Sequence, residues 1–161
     1  MKKLPSWIKA IPESQAHGSG TLQKRLWRVT SDYVRIRDWY QFDSSDIVTG
    51  KKIRHWTEGD AGHWKSYSVC RGMFKFDPAN IHLQSKISNA WGGQEIGHMF
   101  GENLKRRYGD TYLQELTAIN NSHSLKFTDG EISGQILKVI SMMEYLPEQP
   151  DYYKRVVAKL Q

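Results

Sequence analysis

The sequence predicts an α+β fold that is mostly helical and contains a small strand–strand–helix unit. From Thr21 onward, apolar residues recur at a mixed spacing of three and four, which is typical of a helix packed against a core. Two short strand candidates follow, Asp60–Trp64 and Gly72–Phe76. A polar turn then leads into a short helix that begins near Ile81, and the chain after Glu95 is predicted to be helical.

The chain length sets the expected domain organisation. At 161 residues, one compact domain with a real core is expected. Two prolines and a His-Gly-Ser-Gly segment within residues 1–20 predict a flexible N-terminal arm, and residues 21–161 are predicted to form a single domain. No stretch approaches the roughly 20 apolar residues that span a bilayer, and no apolar segment follows the charged N-terminus as in a signal peptide. We therefore expect no membrane partner.

Turn and capping residues delimit the individual helices. Residues 42–58 are rich in turn-forming side chains and predict a knuckle-like loop after the first helix. Gly92 and Gly93 end the short helix that begins near Ile81. The segment Thr128–Glu131 is a capping box that opens a later helix. The predicted C-terminal helices are Glu95–Tyr108, Thr111–Asn120, Ile132–Tyr145 and Asp151–Leu160.

A surplus of basic residues surrounds the middle of the chain. The formal net charge is +6, and the isoelectric point lies near 9.4. Between Lys51 and Lys86, seven basic residues stand against three acidic ones. This surplus is compatible with a nucleic-acid partner, although a solvated basic face has the same composition. The residues predicted to contact DNA are Lys51, Lys52, Arg54, Lys65, Arg71, Lys75 and Lys86, together with Arg35 and Arg37 of the first helix.

The polar residues of the middle region follow an ordered pattern. It reads Asp46-x2-Thr49-Gly, then Asp60-Ala-Gly-His63, then Asn80-Ile-His82-x-Gln-Ser85-x2-Ser88-Asn89. With cysteine at Asp46, Thr49, Ser85 and Ser88, it would be the layout of a ββα nuclease pinned by a zinc knuckle. The single cysteine, Cys70, can form neither an internal disulfide nor a Cys-based zinc site, and we interpret it as a buried thiol. We therefore expect no structural zinc, and a hydrogen-bonded cluster at the four positions in its place.

Such a cluster alone cannot replace the stability that zinc supplies. A structural zinc ion contributes roughly 10–16 kcal/mol, whereas a net hydrogen bond contributes about 1 kcal/mol. Extra apolar burial, at about 25 cal/mol per Å², has to contribute the rest. Trp56, Trp64 and Trp91 are the candidates for that burial.

The chemistry of phosphodiester hydrolysis matches the residue types in this pattern. The reaction needs a base, a cation and donors that hold the backbone. His63 suits the base because the unperturbed pKa of histidine is about 6.5. Asn89 offers a hard oxygen ligand to Mg²⁺, and Asn80 can lock the turn by side-chain to backbone hydrogen bonds. His82 could be a second ligand, a phosphate contact or a core histidine. Structural interpretations also exist for His63 in a packed strand, Asn89 as a helix C-cap and Asp60 in a turn.

The order and spacing of these residues resemble those of a known family. From about residue 30 to 145, the chain is similar to the NinG (Rap) phage recombination nucleases, an HNH-like group of the His-Me finger superfamily. The family's four knuckle cysteines are absent here. The resemblance lies in Ser31–Asp38, Asp60–Trp64, Phe74–Asp77 with Asn80–Gln84, Gly93-Gln94, and the helix end from Leu104 to Gly109.

The resemblance implies a fold, a function and residue roles. His63 would be the general base, Asn89 the metal ligand with Asp60 supporting it, and Asn80 the residue that holds the ββα loop. The implied protein is a Mg²⁺- or Mn²⁺-dependent DNA endonuclease, HNH-like but without structural zinc. It would cut branched or single-strand-containing recombination or replication intermediates in the cytoplasm of a bacterial or phage-infected cell. Cutting junctions makes a homodimer plausible.

Two alternatives to a nuclease stay open at this point. The chain could be a non-catalytic DNA-binding accessory protein of recombination on the same fold. It could also be a basic helical protein whose match to the pattern is accidental. Retention of both His63 and Asn89 favours the nuclease over the accessory protein, because a binding module needs neither.

Overall fold

The computed structural model describes residues 4–13 and 20–161. The chain forms two compact units, Met1–Tyr33 with Thr128–Gln161 and Val34–Phe127. Within the described ranges the architecture is α+β, mostly helical, with one two-stranded antiparallel sheet. The elements in chain order are α1 Thr21–Gln41, β1 Gly59–His63, β2 Ile81–Ser85, α2 Lys86–Trp91, α3 Gly93–Tyr108, α4 Tyr112–Ser122, α5 Asp129–Met143 and α6 Tyr153–Val157.

The sheet confirms the first predicted strand and corrects the second. Strand β1 pairs antiparallel with β2, with Gly59 opposite Ser85 and His63 opposite Ile81. The segment Gly72–Phe76, predicted as a strand, is a 3-10 helix, and the predicted helix near Ile81 is strand β2. The short helix begins only at Lys86. Strand β2 therefore leads directly into α2.

Burial explains why the segment Gly72–Phe76 resembled a strand. Phe74 and Phe76 alternate with less buried residues and are both fully buried, which is the spacing of a half-buried strand. The tight helical start depends on Gly72, which has a φ of +46°. A Cβ atom at this position would collide with the carbonyl oxygen of Ser124. The backbone at Gly72 thus requires glycine for both conformation and space.

The unit formed by the two ends of the chain contains the predicted capping box. The Thr128 hydroxyl accepts the Glu131 N–H, and the Glu131 carboxylate accepts the Thr128 N–H, so α5 begins as predicted. Helix α5 buries its apolar stripe. Helix α6, Tyr153–Val157, is shorter than the predicted helix Asp151–Leu160. The buried residues of α5 are Ile132, Ile136, Val139, Ile140 and Met143.

The described part of the predicted N-terminal arm is anchored rather than loose. Ile8 and Ile11 are fully buried, and residues Ile8–Ala10 form one turn of 3-10 helix. The guanidinium of Arg25 donates hydrogen bonds to the carbonyl oxygens of Ile8 and Lys9 at 3.2 and 3.3 Å. The rest of the predicted arm, residues 1–3 and 14–19, lies outside the described residues.

The core of the unit Val34–Phe127 packs the knuckle-like loop against α3 and α4. Ile47 and Val48 of the loop meet Phe100 of α3 and Leu116 of α4 in one apolar cluster. Helices α3 and α4 confirm the predicted segments to within two residues at each end. No helix within residues 4–13 and 20–161 combines the length and the apolar character needed to cross a membrane.

The cysteine and two of the three tryptophans predicted to add to the core are buried or half-buried. Burial raises the pKa of the Cys70 thiol to about 11, so it is a protonated core residue, as predicted. Trp56 is buried and Trp64 is half-buried. Trp91 is 60% exposed, so the prediction that it adds to the core is wrong. Its helix is short, and only Ser88 of α2 faces the interior.

Candidate active site

The two predicted metal ligands meet at the surface of the strand–strand–helix unit. Asp60 lies on β1, and Asn89 lies on α2, which follows β2 directly. The Nδ2 group of Asn89 donates a hydrogen bond to Oδ2 of Asp60 at 3.1 Å. A rotation of the Asn89 amide by about 180° about its Cβ–Cγ bond would place Oδ1, in place of Nδ2, on the side that faces Asp60. The pair can therefore offer two hard oxygen atoms at one place.

The imidazole of His63, at the end of β1, is oriented by a backbone carbonyl. Its Nε2 lies 2.8 Å from the carbonyl oxygen of Lys75. Because a carbonyl can only accept, Nε2 carries the proton and Nδ1 carries the lone pair when the ring is neutral. The ring also meets Tyr67 edge-on, with 5.9 Å between centroids. This orientation gives His63 a defined tautomer that can accept a proton at Nδ1.

The separation of Asp60 and His63 limits how they can act together. They lie three residues apart on β1, roughly 10 Å in an extended strand. Alternation along a strand turns residues three apart to opposite faces. A single substrate group can therefore reach both only across the end of the two-stranded sheet, where β1 stops at His63.

Asn80 ties down the loop that follows His63. Its Oδ1 accepts the N–H of Lys65 at 2.9 Å, and its Nδ2 donates to the Lys65 carbonyl at 3.1 Å. The Cys70 thiol donates to the same carbonyl at 3.1 Å. Asn80 is fully buried, so both bonds are shielded from water. The side chain predicted to hold the loop thus binds the backbone two residues beyond the candidate base.

The positions expected to replace the zinc-knuckle cysteines form a hydrogen-bonded cluster. Oδ2 of Asp46 accepts the Ser88 hydroxyl at 2.7 Å and the Ser85 N–H at 2.9 Å. The Ser85 hydroxyl in turn accepts the Ser88 N–H at 3.1 Å. Thr49 joins through its backbone, because its N–H donates to Oδ1 of Asp46 at 3.2 Å. The cluster fixes the knuckle-like loop to the start of α2.

The charge of Asp46 is stabilised by these donors. Burial alone would raise the pKa of this carboxyl, but the hydrogen bonds from Ser85, Ser88 and the Val48 N–H hold the pKa below its ordinary value. The carboxylate is therefore ionised at neutral pH and accepts four hydrogen bonds in the cluster.

His82 belongs to a buried network away from the surface that carries Asp60. It is fully buried, and its Nδ1 lies 2.9 Å from Oδ2 of Asp38. The same carboxylate oxygen accepts the Leu83 N–H at 2.9 Å. Of the three roles left open for His82, the structure therefore favours the core histidine.

Arg37 completes the same network. Its Nε donates to Oδ1 of Asp38 at 2.7 Å, and its two terminal nitrogens donate to the carbonyls of Pro78 and Ile81, each at 3.0 Å. Burial alone would raise the pKa of Asp38, but the charges of Arg37 and His82 hold the pKa well below its ordinary range. These bonds join α1 to β2. We assign Arg37 this structural role and omit it from the proposed DNA contacts.

The other predicted DNA contacts divide by exposure. Arg35 is half-buried and lies over the Trp56 ring at 5.2 Å, and Lys75 is half-buried with its ammonium 4.8 Å from the Tyr67 ring centroid. Lys75 thus lies beside the ring that contacts His63. Lys65 and Arg71 are also half-buried, and the exposed predicted contacts are Lys51, Lys52, Arg54 and Lys86.

Two features of the site escaped the sequence pattern. Asp38 organises the buried network, and the detectable signal was an acidic residue four positions after Val34 on the apolar stripe of α1. The Lys75 carbonyl that orients His63 has no sequence signal, because any residue supplies a carbonyl.

Comparison of the chain with protein-family models, curated proteins and solved structures found no match.

Proposed function

We propose that this chain is a divalent-metal-dependent DNA endonuclease of the HNH/NinG type, which hydrolyses phosphodiesters in branched recombination or replication intermediates. The observation that carries the proposal is the contact of Asp60 with Asn89 on a strand–strand–helix unit whose first strand ends at His63. The order of the elements supports a His-Me finger ββα motif. The Asp46 cluster supports its folding without structural zinc.

His63 acts as the general base in this proposal. Its Nδ1 takes a proton from the attacking water, and the Lys75 carbonyl stabilises the resulting imidazolium through the Nε2–H bond. The Asn80 bonds to Lys65 keep the following loop, and with it the surroundings of the ring, in place. A positioned general base contributes about 10²- to 10⁴-fold to the rate.

The donor set at Asp60 and Asn89 fits a hydrated hard cation. Two oxygen ligands suit Mg²⁺, which keeps most of its water molecules, and Mn²⁺ accepts the same ligands. Within the described residues, no group of three or more His, Cys, Asp or Glu side chains gathers to hold a metal, so a site made only of protein ligands is not supported. Bound there, the ion would stabilise negative charge on the phosphate and on the leaving oxygen.

The exposed basic residues support binding to the DNA backbone. Lys51, Lys52, Arg54 and Lys86 lie on the surface of the same unit as Asp60 and Asn89. Contacts of this kind recognise phosphates without reading sequence, which favours selection by DNA structure. A homodimer would supply the two active sites that cutting both strands of a junction requires.

The test is cleavage of branched and linear DNA with Mg²⁺ or Mn²⁺ by the wild-type protein and by His63→Ala. The proposal expects metal-dependent cutting by the wild type, a loss of about 10²-fold or more in the variant, and unchanged DNA binding by the variant. DNA binding without cutting in both proteins would favour the accessory-protein alternative. Absence of both binding and cutting would reject the nuclease and the resemblance together.

A further inference from the structure

Helix α2, which carries the candidate metal ligand Asn89, also exposes an apolar pair. Trp91 and Ile87 are 60% and 65% exposed, and they lie four residues apart, on one side of the helix. Ser88 is the only buried residue of α2. With about 100° between successive residues, Asn89 lies on one flank of Ser88, and Ile87 with Trp91 lies on the other. The outward face between them carries Lys86 and Ala90.

The hydrogen bonds of Ser88 anchor the helix that carries the apolar pair. The Ser88 hydroxyl is bonded to the buried Asp46, and the Ser88 N–H is bonded to the Ser85 hydroxyl. A helix with its side chains is about 10 Å across, which equals about three base steps of 3.4 Å. A DNA strand whose phosphate lies at Asp60 and Asn89 can therefore place a base about three nucleotides away at Trp91.

The size of the apolar surface favours a nucleobase over a protein partner. A stable protein interface takes about 20 to 30 residues a side, and α2 offers two apolar side chains. A single unpaired base needs one aromatic face, and every base can stack on it. Lys86, exposed on the same helix, supplies a cation for the adjacent phosphate.

We propose that Trp91, supported by Ile87, stacks on an unpaired base about three nucleotides from the cut phosphodiester and is the residue that selects DNA with unpaired bases. This inference rests on the proposed nuclease function and adds the substrate feature that the site recognises. A fully paired duplex keeps its bases stacked on each other, so it gains nothing from the ring. A branch point, bulge or single strand presents a free base face.

The experiment measures binding in EDTA by fluorescence anisotropy, so that no DNA is cut. The probes are a duplex with a two-base bulge, the same duplex with abasic sites at the bulge, and the fully paired duplex. We expect the wild type to prefer the bulge with bases over the abasic bulge by on the order of tenfold. Trp91→Ala should lose that preference, and Trp91→Phe should keep most of it. The matched control is Tyr145→Ala, which removes an aromatic ring that is 85% exposed in the other unit.

Three results would overturn the inference. The first is a preference for the bulge that is unchanged in Trp91→Ala, and the second is a wild type that binds both bulges equally. The third is a self-association of the wild type that Trp91→Ala abolishes, measured by sedimentation, because the ring would then cover a protein surface. Metal-dependent cutting by the wild type in a parallel assay separates these failures from failure of the nuclease proposal, which would show neither cutting nor binding.

Discussion

The hydroxyl of Ser88 donates a hydrogen bond to the buried carboxylate of Asp46 at 2.7 Å, and this bond joins α2 to the knuckle-like loop. Both residues are fully buried. In a structural zinc site, separate segments of a chain are held together by a metal ion. Here one buried carboxylate accepts donors from both segments, so a buried charge contributes to the local fold. Its dependence on that charge can be measured directly.

The first prediction concerns the stability supplied by Asp46. In Asp46→Asn the shape is kept, but an amide N–H₂ would face the Ser85 N–H or the Val48 N–H, and two donors would meet. A buried donor left without an acceptor costs about 1–3 kcal/mol. We expect the free energy of unfolding, measured by urea denaturation, to fall by about 2 kcal/mol or more.

Asp43→Asn is the matched control for this measurement. Asp43 lies in the same loop, its side chain is 91% exposed, and it pairs with Lys52 at the surface. Its φ of +54° is a conformation that asparagine also tolerates. Surface pairs contribute about 0–1 kcal/mol, so this variant should stay close to the wild type. If the free energy of unfolding falls equally in the two variants, the Asp46 cluster stabilises the protein no more than a surface ion pair does.

The second prediction concerns the loss of folding stability at low pH. The pKa of Asp46 and the pKa of Asp38 both lie below the ordinary value in the folded protein, because donors and charges outweigh the effect of burial. Such a group stabilises the fold fully above its unfolded pKa of about 3.9, and this stabilisation is lost as the pH falls through the folded pKa. Urea titrations should therefore show a decline in stability below about pH 4. The decline should be shallower in Asp46→Asn, and a decline of the same steepness in both proteins would contradict the assignment.

Much of the helical architecture could be predicted from local sequence signals. Thr128 and Glu131 are close in sequence, and their capping box needs no tertiary information to be recognised. The end of α3 at Gly109 and the apolar stripe of α5 are local patterns of the same kind. Strand β1 matches the predicted strand Asp60–Trp64 to within one residue at each end.

Strand β2 carries a local strand pattern that the prediction of a helix near Ile81 missed, whereas alternating burial makes the 3-10 helix Gly72–Phe76 resemble a strand. Ile81, His82, Leu83 and Gln84 alternate between apolar and polar side chains, which is the pattern of a strand, although all four are buried. The polar members are buried because distant groups bind them, as Asp38 binds His82 from α1. For Trp91, composition alone suggested burial, but only the bonds of Ser88 determine which side of α2 faces inward.

The third prediction separates metal binding from base catalysis. If Asp60 and Asn89 hold the cation, Asp60→Ala and Asn89→Ala should weaken Mn²⁺ binding by more than about tenfold, measured by electron paramagnetic resonance, since even outer partners of metal ligands are worth 10- to 100-fold. Asn89→Asp keeps an oxygen ligand and should keep binding. His63→Ala should bind Mn²⁺ as the wild type does, although its rate of DNA cutting should fall by about 10²-fold or more. Mn²⁺ affinity unchanged in Asp60→Ala would remove that residue from the site.

The fourth prediction builds a zinc site at the positions of the Asp46 cluster. Asp46, Ser85 and Ser88 already meet through hydrogen bonds of 2.7 to 3.1 Å, and the Thr49 N–H lies 3.2 Å from Oδ1 of Asp46. Four thiolates at these positions should bind one zinc ion tetrahedrally and raise the melting temperature only when the metal is present. Cobalt substitution should give the absorption of a tetrahedral thiolate site. The variant with three cysteines that retains Thr49 is the control and should bind more weakly. Because Cys70 is buried and bonded to the Lys65 carbonyl, the wild type should give no such spectrum. If the four-cysteine variant takes up no zinc and gives no cobalt spectrum, that result counts against the resemblance to a zinc-knuckle nuclease.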